Sequence, residues 1–513
     1  MNRSISSSSL TARSPSWRRL SGLCAGGALL LSLFASSADA VPLQTDWKKI
    51  KAAPLRDFKP QQPTRIQLDN GLVIFLQPNP ELPLITVLGD IKGGSGDEPA
   101  DKVSLTSLYT ATLRSGGIQG KTGDQVDDFL AARAAQIGWD EDVDSVKLRL
   151  SCHKNDFDEV LGIVVEMLRT PQFAQDKIDL AKRQIFTGIS RRNDEPMEIA
   201  ERESEKLALG VSHPHARHPE YATVAAVTRE DLLAWHRAHV HPNNFTLGIT
   251  GDFDAAAMEA KLRRLFGGWP KGPAVPTANI PFNPTQPGLY LVNKDDVNQS
   301  SIRLVQLGTT RKNPDAYAIE VMNEILGGGF AARLFTNIRS KQALAYNVRG
   351  GVGLGWGHPS LYRLTMGTAS KNTVRAVKAL YAEVNAMLKD RPPTADELAK
   401  AKESILNSFV FQIDSKAKTM RQRMGLEAYG YPPDYYDTYQ AQIAKVTLDD
   451  VKRVAAKYLN PSGFAVLVVG KVADFDAPLS TLGNVNTLDI TIPPPPAGAL
   501  PAGPAGAGRP SGK

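Results

Sequence analysis

The densest group of side chains able to bind a metal or move a proton is His213-Pro214-His215-Ala216-Arg217-His218, followed by His236, His239 and His241. Neither group places a carboxylate between histidines at helical spacing, the pattern of a helix that holds both a metal and its base. The first falls in a proline-rich loop. The second straddles a predicted helix end, where a protonated histidine suits the negative pole. Structural or surface roles therefore outweigh metal binding for both. His153 follows Cys152 directly, and in a strand neighbouring side chains point to opposite faces, so the two make a poor nucleophile–base pair. Gly327-Gly328-Gly329 lacks the Lys and Ser/Thr of a phosphate-binding loop, and no serine sits in a Gly-x-Ser-x-Gly elbow. The two cysteines, Cys24 and Cys152, supply neither a disulfide framework nor a four-thiolate zinc site. Arg339 and Tyr346 carry donors that can be aimed at developing negative charge. Their spacing alone favours a structural reading, with Arg339 ending a helix and Tyr346 packed in a strand.

The elements that must position such residues belong to a chain of 513 residues, long enough for two to four domains. With 42% hydrophobic and 22% charged residues, the chain as a whole is neither disordered nor fibrous. The net charge of +7 includes Arg3, Arg13, Arg18 and Arg19 near the N-terminus, and no basic run marks a nucleic-acid surface. Residues 1–40 read as a secretory signal: a basic start, an apolar stretch from Leu20 to Ser36, and Ala38-Asp39-Ala40 as the cleavage site. The apolar stretch is short for a bilayer span, and no later segment is long and apolar enough to be one. An exported chain left with one thiol reads as a bacterial periplasmic protein without an integral membrane segment.

An internal repeat divides the rest. Val227/Val446, Thr228/Thr447, Asp231/Asp450, Pro242/Pro461, Phe245/Phe464 and Gly251/Gly470 match at one constant offset. Each copy predicts a Thr-capped helix with an acid in its first turn, then a proline and an apolar strand ending in glycine. Upstream, Thr64 to Gln77 alternates around Asn70-Gly71 as a hairpin, Leu84 to Ile91 is a strand, and Ser104 to Arg114 is a helix stopped by Gly116-Gly117. In the second copy, strands are expected at Gly288 to Val292 and Ser301 to Leu307. A helix from about Asp315 to Leu326 follows, stopped by the three glycines. The fold class is α+β: two homologous domains, each with an antiparallel-rich sheet packed with helices, joined as a clam-shell half. The expected boundaries are an N-terminal extension over 41–60, a first domain over 61–268, a Pro/Gly-rich linker over 269–286, a second domain over 287–480, and a disordered Pro/Ala/Gly-rich tail over 481–513.

This pattern resembles the insulinase/pitrilysin-type zinc metallopeptidases, the family that includes mitochondrial processing peptidase, over nearly all of residues 60–475. The segment Gly327 to Val348 is similar to that family's glycine-rich turn and Arg-…-Tyr segment. The turn Gly93 to Pro99 and the helix after it are similar to the segment that carries the family's zinc motif. Active members bind zinc through His-x-x-Glu-His on that helix and a later glutamate. Here Ser107-Leu108-Tyr109-Thr110-Ala111 stands in the motif's place, and Gly188-Ile189 stands where the later glutamate is expected. Ser107, Thr110 and Ala111 thus replace both ligands and the base, and no metal is expected in this chain.

The resemblance implies that Arg339 and Tyr346 are the family's pair that hydrogen-bonds the substrate carbonyl or oxyanion. It also implies that the strand around Val87, Leu88, Gly89, Asp90 and Ile91 is an edge that pairs with an extended peptide. An ordinary sheet edge is the equal alternative. The expected function is that of a non-catalytic subunit serving peptide hydrolysis, with zinc held by a homologous partner that keeps His-x-x-Glu-His. The alternative is a non-enzymatic peptide-binding or scaffold protein of the same fold in an envelope complex.

Overall fold

The structure, a computed structural model, describes residues 60–498 apart from 276–280 and 284. The predicted signal, nearly all of the extension and the tail beyond residue 498 lie outside the described residues. The first half runs β1 (Thr64–Gln67), β2 (Val73–Pro78), β3 (Leu84–Lys92), α1 (Leu105–Ser115), α2 (Gly123–Ala131), β4 (Gln136–Glu141), β5 (Ser145–His153), α3 (Phe157–Arg169), α4 (Gln175–Arg191), α5 (Pro196–Leu209), α6 (Tyr221–Ala226), α7 (Arg229–His239), β6 (Phe245–Gly251) and α8 (Ala255–Phe266). The second runs β7 (Gly288–Asn293), β8 (Gln299–Leu307), β9 (Thr309–Thr310), α9 (Ala316–Asn323), two π-helical turns (Glu324–Gly328 and Leu334–Lys341), β10 (Asn347–Gly351), β11 (Leu354–Gly355), β12 (Leu361–Ala369), α10 (Thr373–Leu388), α11 (Ala395–Ile413), α12 (Lys416–Tyr429), α13 (Tyr435–Lys445), α14 (Leu448–Tyr458), β13 (Ala465–Gly470) and β14 (Val485–Thr487).

The repeat is a repeat of topology. One six-stranded sheet has the order β1-β2-β6-β3-β5-β4 and the other β10-β12-β8-β13-β7-β14. Strands β2, β6, β3, β5 and β4 correspond to β7, β13, β8, β12 and β10, with the same parallel or antiparallel sense at every pairing. The predicted hairpin is β1–β2, with Thr64 opposite Leu76 and Gln67 opposite Val73. Thr228 and Thr447 cap α7 and α14 in matching boxes: the backbone N–H of Asp231 and of Asp450 donates to the Thr hydroxyl, and each Asp carboxylate accepts the Thr N–H.

Each sheet buries one face under helices of its own half. Ile85, Val87 and Ile91 share a core with Leu105, Leu108 and Tyr109, while Ile302 and Leu304 share one with Ile319, Met322 and Leu380. The other faces are covered by exchange. Ile199 and Ala200 of α5 pack on Leu467 and Val469 of the second sheet. Met420 and Met424 of α12 pack on Val73, Phe75 and Leu88 of the first. Burying each methionine contributes about 1.5–3 kcal/mol. The approach is close enough that a Cβ on Gly248 would stand 2.5 Å from the Met424 sulfur, so β6 needs glycine there. Ion pairs line the same seam: Arg363 reaches Glu205 at 2.8 Å and Arg65 reaches Glu427 at 2.7 Å.

Two expectations are corrected. The strand bearing Val87, Leu88, Gly89, Asp90 and Ile91 is not an edge. It is β3, hydrogen-bonded to β6 on one side and β5 on the other. Its apolar residues face both ways, Val87 and Ile91 toward the helices and Leu88 toward α12, as suits an interior strand. The second correction concerns residues 481–492, expected to be disordered. Here β14 runs parallel to β7, the Leu488 N–H donates to the Leu291 carbonyl at 2.8 Å, and the Asn193 side chain donates to the Ile490 carbonyl at 2.7 Å. Leu488, Ile490 and Ile492 supply the apolar contacts. A composition average over the tail hid these few residues, whose backbone groups pair with an existing strand.

Asp315 ties α9 to α14 by accepting hydrogen bonds from Arg453 at 2.7 Å, Lys457 at 2.8 Å and the Tyr458 hydroxyl at 2.9 Å. The Lys457 bond, reinforced by Arg453 and Tyr458, holds its carboxyl down to about 2. A depressed carboxylate contributes stability above its ordinary value near 4 and loses it as pH falls toward 2. Asp315→Asn is expected to lower stability at pH 7 by about 1 kcal/mol, after screening at the half-exposed cations. In urea titrations the difference from the wild type is expected to shrink below pH 4. An equal difference at pH 7 and pH 3 would refute the assignment.

Candidate functional site

Helix α1 begins at Leu105 without a local side-chain cap, and its N-cap residue Ser104 has φ +92°. The cap comes instead from Glu98, whose carboxylate accepts the N–H groups of Ser104 (3.0 Å) and Thr106 (2.7 Å). Ser107 and Thr110 sit one turn apart on this helix and both donate to the Glu141 carboxylate at the end of β4, at 2.5 and 2.6 Å. Ala111 presents a methyl group to the surface. Two hydroxyls, a methyl and a carboxylate already engaged by those hydroxyls do not form the nitrogen or sulfur donor set that holds zinc. Gly188 of α4 offers no side chain, and there is open space where a Cβ would stand. Glu141, which fastens α1 to β4, was not singled out from the sequence.

Between these positions Tyr109 points the other way, into the core. Its hydroxyl donates to His236 Nδ1 at 2.7 Å, and His236 Nε2 donates to the Leu168 carbonyl at 3.2 Å. That arrangement requires a neutral imidazole, and burial pushes His236 down to about 4. The expectation of protonated histidines at this helix end is therefore corrected. His236 is buried, and His239 is also lowered by burial while stacked on Trp235 at 4.2 Å. Cys152 is buried and pushed up to about 11, which leaves it an inert thiol beside a His153 that faces away.

In the second half, the glycine-rich turn leads into the π-helical turn Leu334–Lys341, and Tyr346 immediately precedes β10. Tyr346 is 85% exposed, so it does not pack in a strand. Arg339 lies between two rings, 4.6 Å from the Phe335 centroid and 5.1 Å from that of Tyr346. Stacking orients the guanidinium while leaving its N–H groups without a hydrogen-bond partner among the described residues. Phe335 and the 81% exposed Phe330, edge-to-face at 5.0 Å, extend this surface, and neither was anticipated. Ser107 and Thr110 are fastened to β4, an edge strand of the first sheet, and Tyr346 leads into β10, the corresponding edge strand of the second.

The histidine-rich loop is not a surface turn. His213 and His215 pack around Phe282, and His215 lies 4.2 Å, ring to ring, from His358. His358 Nε2 is 3.6 Å from Asp144. Burial, reinforced by His358 and His213, holds His215 neutral, down to about 4. The only sequence signal for His358 was its place in the turn-rich run Gly353 to Pro359, and Asp144 gave none.

Residues 226–405, from the end of α6 into α11 and including Arg339 and Tyr346, match the family described as the peptidase M16 inactive domain. An uncharacterised zinc protease of Mycobacterium leprae is 26% identical over 327 residues, which span 61% of this chain and 71% of that protein. The protein of Helicobacter pylori named non-peptidase homolog YmxG is 21% identical over 388 residues, 74% of this chain and 87% of its own. Among solved structures, the peptidase M16 inactive domain from Pseudomonas fluorescens superposes with a TM-score of 0.72 at 23% identity, covering 80% of this chain and 98% of that one. No helix among the described residues is long and apolar enough to cross a membrane.

Proposed function

We propose, from the match of residues 226–405 to the peptidase M16 inactive domain and the shared fold, that this chain is an M16-type protein and the non-catalytic subunit of a two-chain zinc peptidase. The partner would be a homologous chain that keeps His-x-x-Glu-His. One observation carries this reading: the residues at the family's zinc positions are hydroxyls locked onto Glu141, while Arg339 and Tyr346 stand stacked and presented. The partner's zinc supplies the activated water when bound. This chain's part is to bind and orient the peptide. Arg339 and the Tyr346 hydroxyl donate to the substrate carbonyl as negative charge develops on it. An extended peptide segment adds to an outer strand, and β4 or β10 takes the place first assigned to β3. The predicted signal supports action in a bacterial periplasm.

The relative named a non-peptidase homolog favours a second reading, a peptide-binding or scaffold protein of an envelope complex with no catalytic partner. Capture of the full chain from its native envelope fraction separates the two. The first reading expects a co-eluting homologue with an intact zinc motif, and peptide cleavage that needs both chains. Elution with other envelope proteins and no cleavage of unfolded peptides would favour the second and overturn the first.

A further inference from the structure

We propose that Asp144, His215 and His358 form a binding site for one divalent transition-metal ion, zinc foremost, across the seam between the two halves. This goes beyond the reading above and uses none of its residues. Asp144 lies in the β4–β5 turn, His215 in the loop after α5, and His358 between β11 and β12. Remote in sequence, they converge so that one ligand atom from each lies within 4.8 Å of the others. Tetrahedral ligands about 2.0–2.1 Å from zinc stand roughly 3.3 Å apart, and small side-chain rotations close that gap. Two imidazoles and a carboxylate select a first-row transition metal over calcium or magnesium, which take oxygen ligands.

The surroundings orient these groups as outer-shell partners do in metal sites. The Pro359 carbonyl can only accept, so at 3.1 Å it places the His358 proton on Nδ1 and leaves the Nε2 lone pair toward Asp144. Tyr429 donates its hydroxyl to Asp144 Oδ2 at 2.9 Å. The Asp144 backbone is pinned as well: its N–H donates to Asp142 at 2.9 Å and its carbonyl accepts the Gly93 N–H at 3.0 Å. His215 has its backbone N–H on His213 Nδ1 at 3.2 Å, while its ring nitrogens have no hydrogen-bond partner among the described residues. A Cβ at Gly96 would come within 3.3 Å of His215 Nε2, so glycine leaves room beside the ring. All three residues line a cavity of about 460 Å³ between the first sheet and α12, which gives an ion a way in and leaves space for a water as fourth ligand.

A metal held here would join Asp144 and His215 of the first half to His358 of the second. Equilibrium dialysis of the untagged, EDTA-stripped full chain against Zn²⁺, with metal content and melting temperature read on the same samples, tests the site. The expected result is one ion per chain and a melting temperature raised by the metal. His215→Ala and His358→Ala are expected to lose the bound ion, and Asp144→Asn and Tyr429→Phe to weaken it by about ten- to a hundredfold. Ser107→Ala/Thr110→Ala is expected to bind as the wild type does. Absence of stoichiometric zinc in the wild type would overturn the proposal, leaving His358 and Asp144 a plain ion pair. Undiminished binding in His215→Ala/His358→Ala would overturn it too. Loss of zinc on changing Ser107 and Thr110 would place the ion on α1, which counts against this site and against the non-catalytic reading together. Should a histidine variant fail to fold, Tyr429→Phe removes only a hydroxyl and still decides the matter.

Discussion

Arg339→Ala or Tyr346→Phe is expected to lower turnover by the proposed two-chain peptidase by about tenfold to a thousandfold, the range found when a single donor to a developing oxyanion is removed. The basis is the way these groups are held. Arg339 is clasped between Phe335 and Tyr346, and its N–H groups make no hydrogen bond among the described residues. Tyr346 is 85% exposed, so its hydroxyl is open to a ligand. A donor acting on the transition state lowers kcat, whereas one that only binds the peptide raises KM. Steady-state kinetics on a fluorogenic peptide, with both chains present, reads the two apart. Tyr346→Phe keeps the ring against Arg339 and deletes only the hydroxyl, so its effect reports donation and not packing. Wild-type turnover in both variants would remove the assigned role.

The largest expected loss of stability comes from Glu98→Ala. Glu98 is 4% exposed and accepts three hydrogen bonds at the start of α1: the N–H groups of Ser104 and Thr106 and the Thr106 hydroxyl. Its backbone carbonyl accepts Arg217 at 2.9 Å. Alanine would strand two buried N–H groups and a hydroxyl at the positive end of a helix, with no local cap to replace the carboxylate. At about 1–3 kcal/mol for each unsatisfied group, with partial relaxation, the expected loss is roughly 3–5 kcal/mol. Urea denaturation measures it as a lower midpoint with an unchanged slope. Glu98→Gln, which keeps one acceptor oxygen, is expected to fall between. An unchanged midpoint in Glu98→Ala would mean that α1 is capped by other means.

Much of this architecture is legible in the sequence because it is locally encoded. Thr228 with Asp231, and Thr447 with Asp450, mark helix starts through side chains that cap backbone groups three residues away. The hairpin at Asn70-Gly71 and the offset between the two copies need no knowledge of distant contacts. The absence of any metal-binding side chain at Ser107, Thr110 and Ala111 is equally local. The misreadings share a different cause. The place of β3 inside its sheet depends on β6, which returns far along the chain to pair beside it. The ordering of Leu488 to Ile492 depends on β7 offering a bare edge and on Asn193 offering an amide. His215 in its loop looks like any turn histidine until Asp144 and His358 arrive beside it.

By itself, then, the sequence determined that this protein is two related α+β units, with Arg339 and Tyr346 in one and Ser107, Thr110 and Ala111 on the first long helix of the other. Those are statements about residue types at fixed local spacing. Only the tertiary structure decided which strands are outermost, that α5 and α12 each cover the other half's sheet, and that a carboxylate and two histidines meet at the seam. The physical reason is that strand pairing and sheet coverage satisfy backbone groups and apolar faces with whichever distant segment fits best. Neither periodicity nor composition of a segment names its partner.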